Sequence, residues 1–347
     1  MRKLAILLTL VLVLCSSAFA EQKNVQVLTG LTDYQLQRDM DLMRASLGVN
    51  CDYCHVFTET HTADFPNDAK QTKRTARRMI EMVEQINQQN FEGKPVVSCM
   101  SCHRGNTDPV SLPPLPQAVI PFPTPARTRP ANLPTREQIV AKYLAALGDA
   151  SRLTAPRTLA GTRETADGKS TPFDVQISGD KVHASGTTRA GATEQVVSGT
   201  SGWIKTPTGV NEMRPDLIET YRELTAAYEL TAPQSIPADA RVVNTEKIGD
   251  HDTFVVVARV DDRTRQRLYF DTTTGLLVRR VVLRQTDIGQ VPQQTDFDDY
   301  REVGATKYPF YVRVSLLDPF LSATRHYTDV RLGAKIDDEV FAPLKSQ

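Results

Sequence analysis

The chain has 347 residues, 41 Lys+Arg against 41 Asp+Glu, 40% hydrophobic residues and five cysteines. That length exceeds the usual single domain, so two domains with cores of their own are expected. The charge balance excludes bulk electrostatic capture of nucleic acid or of an acidic surface, and function is expected to reside in local sites.

Met1-Arg2-Lys3 precedes an apolar run from Leu4 to Leu14, and Ser16-Ser17-Ala18-Phe19-Ala20 follows. A basic start, a short apolar stretch and an A-x-A ending predict a cleaved secretory signal over residues 1–20, too short for a spanning helix. Cys15 raises the alternative of a lipoprotein signal, but Leu14 is large where such signals carry a small residue, which argues against a lipid anchor there. No later run is long and apolar enough to cross a bilayer, so a soluble or peripheral mature protein, with membrane contact at most at the surface, is expected in the periplasm.

The four remaining cysteines all lie in two motifs, Cys51-Asp52-Tyr53-Cys54-His55 and Cys99-Met100-Ser101-Cys102-His103. C-x-x-C-H is the attachment pattern of c-type haem: two thiols add to the porphyrin vinyl groups and the histidine takes one axial position on the iron. A zinc site could use the same thiolates, but it needs no histidine after both pairs and is less expected outside the cytoplasm. Two covalently attached haems c, with Cys51, Cys54, His55, Cys99, Cys102 and His103 as their ligands, are expected in a segment spanning residues 21–109.

Thr32-Asp33-Tyr34-Gln35 fits a capping box, Leu36, Met40, Met43 and Leu47 follow at helical spacing, and Gly48 supplies the stop. Methionines at such positions are ordinarily core filler. Here the helix runs into a haem-binding loop, and a thioether is the usual sixth ligand opposite histidine in high-potential c haems, so Met40 or Met43 is a candidate. A second helix is predicted from Asn67 or Asp68, with Met79, Val83 and Ile86 in one stripe and Met82 at its edge, which favours Met79. His61 is a further candidate ligand, in a polar loop with no helix to fix it. Lys70, Lys73, Arg74, Arg77 and Arg78 open the second helix. A solvated face, a docking patch for an acidic redox partner and contacts to haem propionates all remain open for them.

Three strings carry a resemblance: Leu47 to His55, Ala76-Arg77-Arg78-Met79 through Asn87, and Cys99 to Gly105. Together they resemble one haem pair of the cytochrome subunit bound to photosynthetic reaction centres of purple bacteria, over roughly Val27 to Pro109. The resemblance implies electron transfer with protein redox partners, and it implies Met40 and Met79 as the two sixth ligands. That family carries two such pairs and this chain one, so only the electron-transfer chemistry is carried over.

Residues 110–134 are dense in proline, as in Leu112-Pro113-Pro114-Leu115-Pro116, which predicts a semi-rigid linker. Thr135-Arg136-Glu137-Gln138 is another capping box, followed by Ile139, Tyr143, Leu144 and Leu147 and by Gly148. Alternating β-rich runs follow at Phe173–Ser178, Lys181–Ser185, Glu194–Ser198, Thr253–Val260, Arg267–Asp271, Leu276–Thr286, Gln294–Val303 and Tyr311–Leu317, with a helix over Pro215–Leu230. They predict a curved antiparallel sheet with one buried face over residues 135–347, and an α+β chain as a whole. Gly275 is expected in a hairpin turn, Trp203 in the core, and Asp298, Asp299 and Arg301 in an exposed ion-paired turn.

The strings Ala145-Ala146-Leu147-Gly148, Gly202-Trp203, Tyr269 to Leu277 and Asp298 to Arg301 resemble the periplasmic lipoprotein-carrier superfamily, an incomplete β-barrel whose open mouth is plugged by helices. This implies docking, or binding of a lipid or other apolar ligand. His183, His251 and His326 have no metal-ligand spacing, and no nucleophile, base and orienter set stands out. The expectation is a non-enzymatic two-haem electron carrier. A two-haem peroxidase-type enzyme and a lipid carrier with an accessory redox module are the competing readings.

Overall fold

The computed structural model describes residues 23–59, 62–119, 130, 132–188 and 191–345. The signal segment, with Cys15, and His61 lie outside them. Among the described residues no helix is long and apolar enough to cross a membrane.

Local signals set the helices of the N-terminal part. Helix α1 (Asp33–Leu47) starts where Gln35 N–H donates to Thr32 Oγ1 at 3.2 Å and Thr32 N–H to Gln35 Oε1 at 2.9 Å, and it ends at Gly48, φ 68°. The first C-x-x-C-H follows, then a two-strand ladder, β1 (Val56–Phe57) and β2 (Ala63–Asp64). Helix α2 (Gln71–Asn90) begins at N-cap Lys70, later than the predicted Asn67 or Asp68. The reason is that Asp68 is used elsewhere: its carboxylate lies 2.8 Å from both Lys73 Nζ and Arg77 Nη1, while the Asn67 side chain accepts from Ala69 N–H. A short helix α3 (Cys99–His103) carries the second motif.

After residue 134, α4 (Arg136–Leu147) starts from the expected box at Thr135 and Gln138. A single antiparallel sheet follows. Its first half is β3 (Arg157–Thr165), β4 (Ser170–Ser178), β5 (Lys181–Thr188), β6 (Gly191–Ser198), β7 (Ser201–Thr206) and β8 (Gly209–Glu212). After α5 (Pro215–Ala227) come β9 (Arg241–Ile248), β10 (His251–Arg259), β11 (Thr264–Asp271), β12 (Leu277–Thr286), β13 (Gly289–Val303), β14 (Thr306–Ser315) and β15 (Ala323–Leu332). The strand order is β8-β7-β6-β5-β4-β3-β15-β14-β13-β12-β11-β10-β9, so two meanders meet where the first strand pairs with the last.

One buried cluster joins Val175 and Ile177 of β4 to Val256 of β10 and Phe270 of β11, around Tyr143 and Leu147 of α4. In a flat sheet β4 and β10 would lie roughly 30 Å apart at about 4.8 Å per strand, so the sheet must curl around α4. The curl makes the inner face the core, as the alternation predicted.

Two expectations need correction. Trp203 on β7 is half-buried near one edge and belongs to no buried cluster. Asp298, Asp299 and Arg301 sit within β13 and not in a turn: Asp299 has a φ of 51° between Asp298 and Tyr300, whose pairing with β14 keeps one register, and Arg301 is paired to its carboxylate at 2.6 Å. The three histidines each meet a carboxylate: His183 with Glu194 at 2.9 Å, His251 with Asp271 at 2.8 Å and His326 with Glu164 at 3.9 Å.

The helical part and the sheet pack on each other. The β12–β13 hairpin reaches into the helices, so that Ile288 is fully buried with Val291 in a cluster shared with Leu28, Leu42 and Ile80. A Cβ at Gly289 would lie 2.9 Å from both Leu42 Cδ2 and Ser98 Cβ. Arg44 on α1 donates to the Leu317 carbonyl and lies 3.7 Å from Asp318.

Candidate haem-attachment site

The first motif is wound into one helical turn. Its residues Cys51–Tyr53 form a 3-10 helix, and the N–H groups of Cys54 and His55 both donate to the Cys51 carbonyl, at 3.3 and 2.9 Å. The second motif is the whole of α3, entered through Ser98, whose N–H donates to Ser101 Oγ at 3.1 Å. All four thiols are free, and among the described residues no group of three or more His, Cys, Asp or Glu is gathered as a metal site. The two C-x-x-C pairs therefore do not converge on one cation. Burial pushes the thiols of Cys54 and Cys99 up.

Each histidine is held by its surroundings. His103 Nδ1 lies 3.0 Å from the Asn106 carbonyl, and an N–H on Nδ1 donating there leaves Nε2 free as the ligating atom. His55 meets the edge of Phe65, with ring centroids 5.0 Å apart at 87°. Burial, reinforced by the nearby Lys73 cation, holds its imidazole below the usual value, which favours the neutral ring a metal ligand requires. Free thiols one turn before a fixed imidazole are the donor set that a c-type haem needs, so the residues fit the group.

The basic residues of α2 turn out to be struts for the first loop. Lys70 Nζ donates to the Asp52 carbonyl and Thr72 Oγ1 to the Tyr53 carbonyl at 2.6 Å, both inside the first motif. Lys73 Nζ donates to the Phe65 carbonyl at 2.6 Å, fixing the residue whose ring abuts His55. Arg74 donates to the Asp68 and Ala69 carbonyls, and Arg77 to Asn24 O at 2.9 Å. Arg78 makes only a bond to Thr75 on its own helix, at 3.2 Å.

Three residues have supporting contacts or burial to which the sequence reading assigns no role. Asn87, 2% exposed, clamps the strand entering the second motif: its Nδ2 donates to Val97 O at 2.8 Å and its Oδ1 accepts from Val97 N–H at 2.9 Å. Gly105 N–H donates to Ser46 O at 2.8 Å, and its carbonyl packs on Gly48, so the end of α1 is seated on the end of α3. Asp39 on α1 is 1% exposed, and burial pushes its carboxyl up to about 6. The inward turn of Asp39 was hidden because a charged residue on an amphipathic helix ordinarily faces water.

Met40 and Met43 both pack, partly buried, against the cluster around Leu42 and Ile288, so burial does not separate them. Met79 is half-buried on α2, while Met82 is 42% exposed.

Residues 15–116 match the family described as photosynthetic reaction centre cytochrome C subunit. The match covers under a third of the chain and includes both C-x-x-C-H turns, α1 and α2. These residues are thus similar to an electron-transfer module that implies c-type haem. No curated protein matches the chain. Solved structures similar to the C-terminal part include a LolA superfamily protein from Nitrosomonas europaea, 14% identical, covering 60% of this chain and 98% of its own, TM-score 0.38. Others are a putative outer membrane lipoprotein-sorting protein domain from Vibrio parahaemolyticus (10% identical, 59% and 94% covered, TM-score 0.37) and a DUF1329 family protein from Desulfovibrio piger (10%, 59% and 96%, 0.37).

Proposed function

We propose that the chain is a periplasmic two-haem c-type cytochrome that passes electrons between protein partners, with residues 21–109 as the haem unit, 110–134 as the linker and 135–347 as the platform. The observation that carries this reading is the seating of α1 on α3 through Gly48, Gly105 and Ser46. It ties the helix that leads into the first C-x-x-C-H to the helix that is the second, so the two motifs form one unit.

In this reading Cys51 and Cys54 would hold one haem and Cys99 and Cys102 the other, with His55, His103, Met40 and Met79 as the residues that would ligate iron. Bound haem iron supplies a one-electron couple whose potential responds to axial ligands, hydrogen bonding and burial. The chain's part is to orient both imidazoles, which the Asn106 carbonyl does for His103 and the Phe65 ring for His55, while burial and the nearby Lys73 cation favour the neutral His55 ring. A sheet pressed on the helices through Ile288 and Val291 limits water on that side.

Near-infrared spectroscopy of the ferric protein tests the ligand set. Met40→Ala and Met79→Ala are each expected to remove about half of the methionine-to-iron charge-transfer absorption. If neither changes it, the methionine assignment fails. Rapid cyanide binding with peroxide turnover in the unaltered protein would favour the peroxidase-type reading instead.

A further inference from the structure

The inner face of the sheet carries one row that begins in the apolar core and runs on into two arginines. Across the register, Phe297 on β13 lies opposite Val312 on β14, Val312 opposite Arg325 on β15, Arg325 opposite Arg163 on β3, and Arg163 opposite Thr171 on β4. Residues directly opposite in an antiparallel pair share a face. Here it is the face that also carries buried Leu159, Phe173, Tyr327 and Val330. Two half-buried guanidinium side chains are therefore neighbours on the inside of the curl.

Like charges directly opposite each other destabilise a sheet, and among the described residues neither arginine has an acidic partner. Arg325 is wedged between rings, its guanidinium carbon 3.7 Å from the Tyr228 centroid and 4.9 Å from that of Phe173. Arg325 and Tyr327 face one another and interact, and the Arg325 Nε and the Tyr327 hydroxyl are both buried with no other hydrogen-bond partner among the described residues. The groups that bear most on Arg325 are Tyr327, Tyr228 and Tyr221, none of them a carboxylate. Nearby carboxylates are taken: Glu164 turns to the outer face and meets His326 at 3.9 Å, and Glu229 is bound by Arg157.

Burying charge without compensation is costly, so this pair is best explained by an anion that completes it. We propose that Arg163 and Arg325 bind the oxyanion head, carboxylate or phosphate, of a ligand held against the inner face of the sheet. Guanidinium forks match both oxyanions in charge and geometry, and the Tyr327 hydroxyl adds a donor. Phe173, Tyr228 and Val312 supply apolar walls that strengthen those bonds by excluding water. The site rests on the sheet alone and stands whether or not the haem assignment does.

Titration calorimetry of the full-length, haem-loaded protein with dodecanoate, dodecyl phosphate, dodecanol and inorganic phosphate tests this. Either anionic amphiphile is expected to bind at least about tenfold tighter than dodecanol, and Arg163→Gln and Arg325→Met should each weaken it about tenfold. Binding of inorganic phosphate with the same dependence on both arginines would identify a free oxyanion as the ligand and support the site equally. Dodecanol binding as tightly as dodecanoate, binding untouched by either substitution, or no binding of any probe would overturn it. Ligand-free Arg163→Gln protein is expected to melt at or above the temperature of the unaltered protein, because a like-charge contact is removed. A clear fall would make Arg163 a structural residue and equally overturn the proposal.

Discussion

Asp68 anchors the start of α2 beside the first C-x-x-C-H loop through Lys73 and Arg77. It accepts from Arg77 and Lys73, and those bonds hold its carboxyl well below the usual range. A depressed carboxyl stabilises the fold fully above its unfolded value of about 3.9 and loses that contribution as pH falls through the folded value. Asp68→Asn is therefore expected to lower the thermal midpoint at pH 7, with the gap to the unaltered protein closing in acid below about pH 4. A gap that stays constant with pH would show that the carboxylate charge is not what matters. The motif residues themselves were legible, since C-x-x-C-H is contiguous in sequence. Their supports were not: Lys70, Thr72 and Lys73 reach backbone carbonyls eight to nineteen residues away, and nothing in the local pattern marks which lysine on a basic helix faces inward.

Among the elements, α1 and α4 were readable to the residue because capping boxes and terminal glycines act within one turn. Helix α2 starts two or three residues after its predicted cap because Asp68 is engaged in ion pairs. Strands β3 and β15 were missed altogether. Their outer faces are polar and they pair with each other across most of the sheet domain's length, so the evidence for each lies in the other. The opposition of Arg163 and Arg325 was invisible for the same reason. Two contacts between elements give measurable consequences. Gly48→Ala places a Cβ against the Gly105 carbonyl at a φ of 68° and is expected to lower stability and broaden the signals of both haem motifs together. A change confined to one motif would show that the seating of α1 on α3 does not couple them. Ile288→Ala, at a fully buried position in the hairpin that enters the helices, should cost about 2 to 5 kcal/mol in chemical denaturation. A cost near zero would mean that the hairpin does not hold the two parts together in solution.

At the scale of the molecule, composition and a proline-rich stretch pointed to two parts, and the fold class was readable from periodicity alone. The closeness of the parts was not, because it depends on one hairpin, Arg44 and Leu317 finding a helix face far away in sequence. Limited proteolysis is expected to cut within residues 110–134 and leave two fragments that co-elute, separating only when Ile288 is replaced. Fragments that part at once would mean that the linker alone joins them. The central claim is that both C-x-x-C-H turns carry covalent haem in one unit. Intact-mass spectrometry under denaturing conditions, on protein made in a host that attaches c-type haem, tests it most directly. Two haems are expected per polypeptide, falling to one in Cys51→Ser/Cys54→Ser protein and to one in Cys99→Ser/Cys102→Ser protein. A polypeptide that retains no haem after denaturation, or that retains only one when all four cysteines are present, would contradict it.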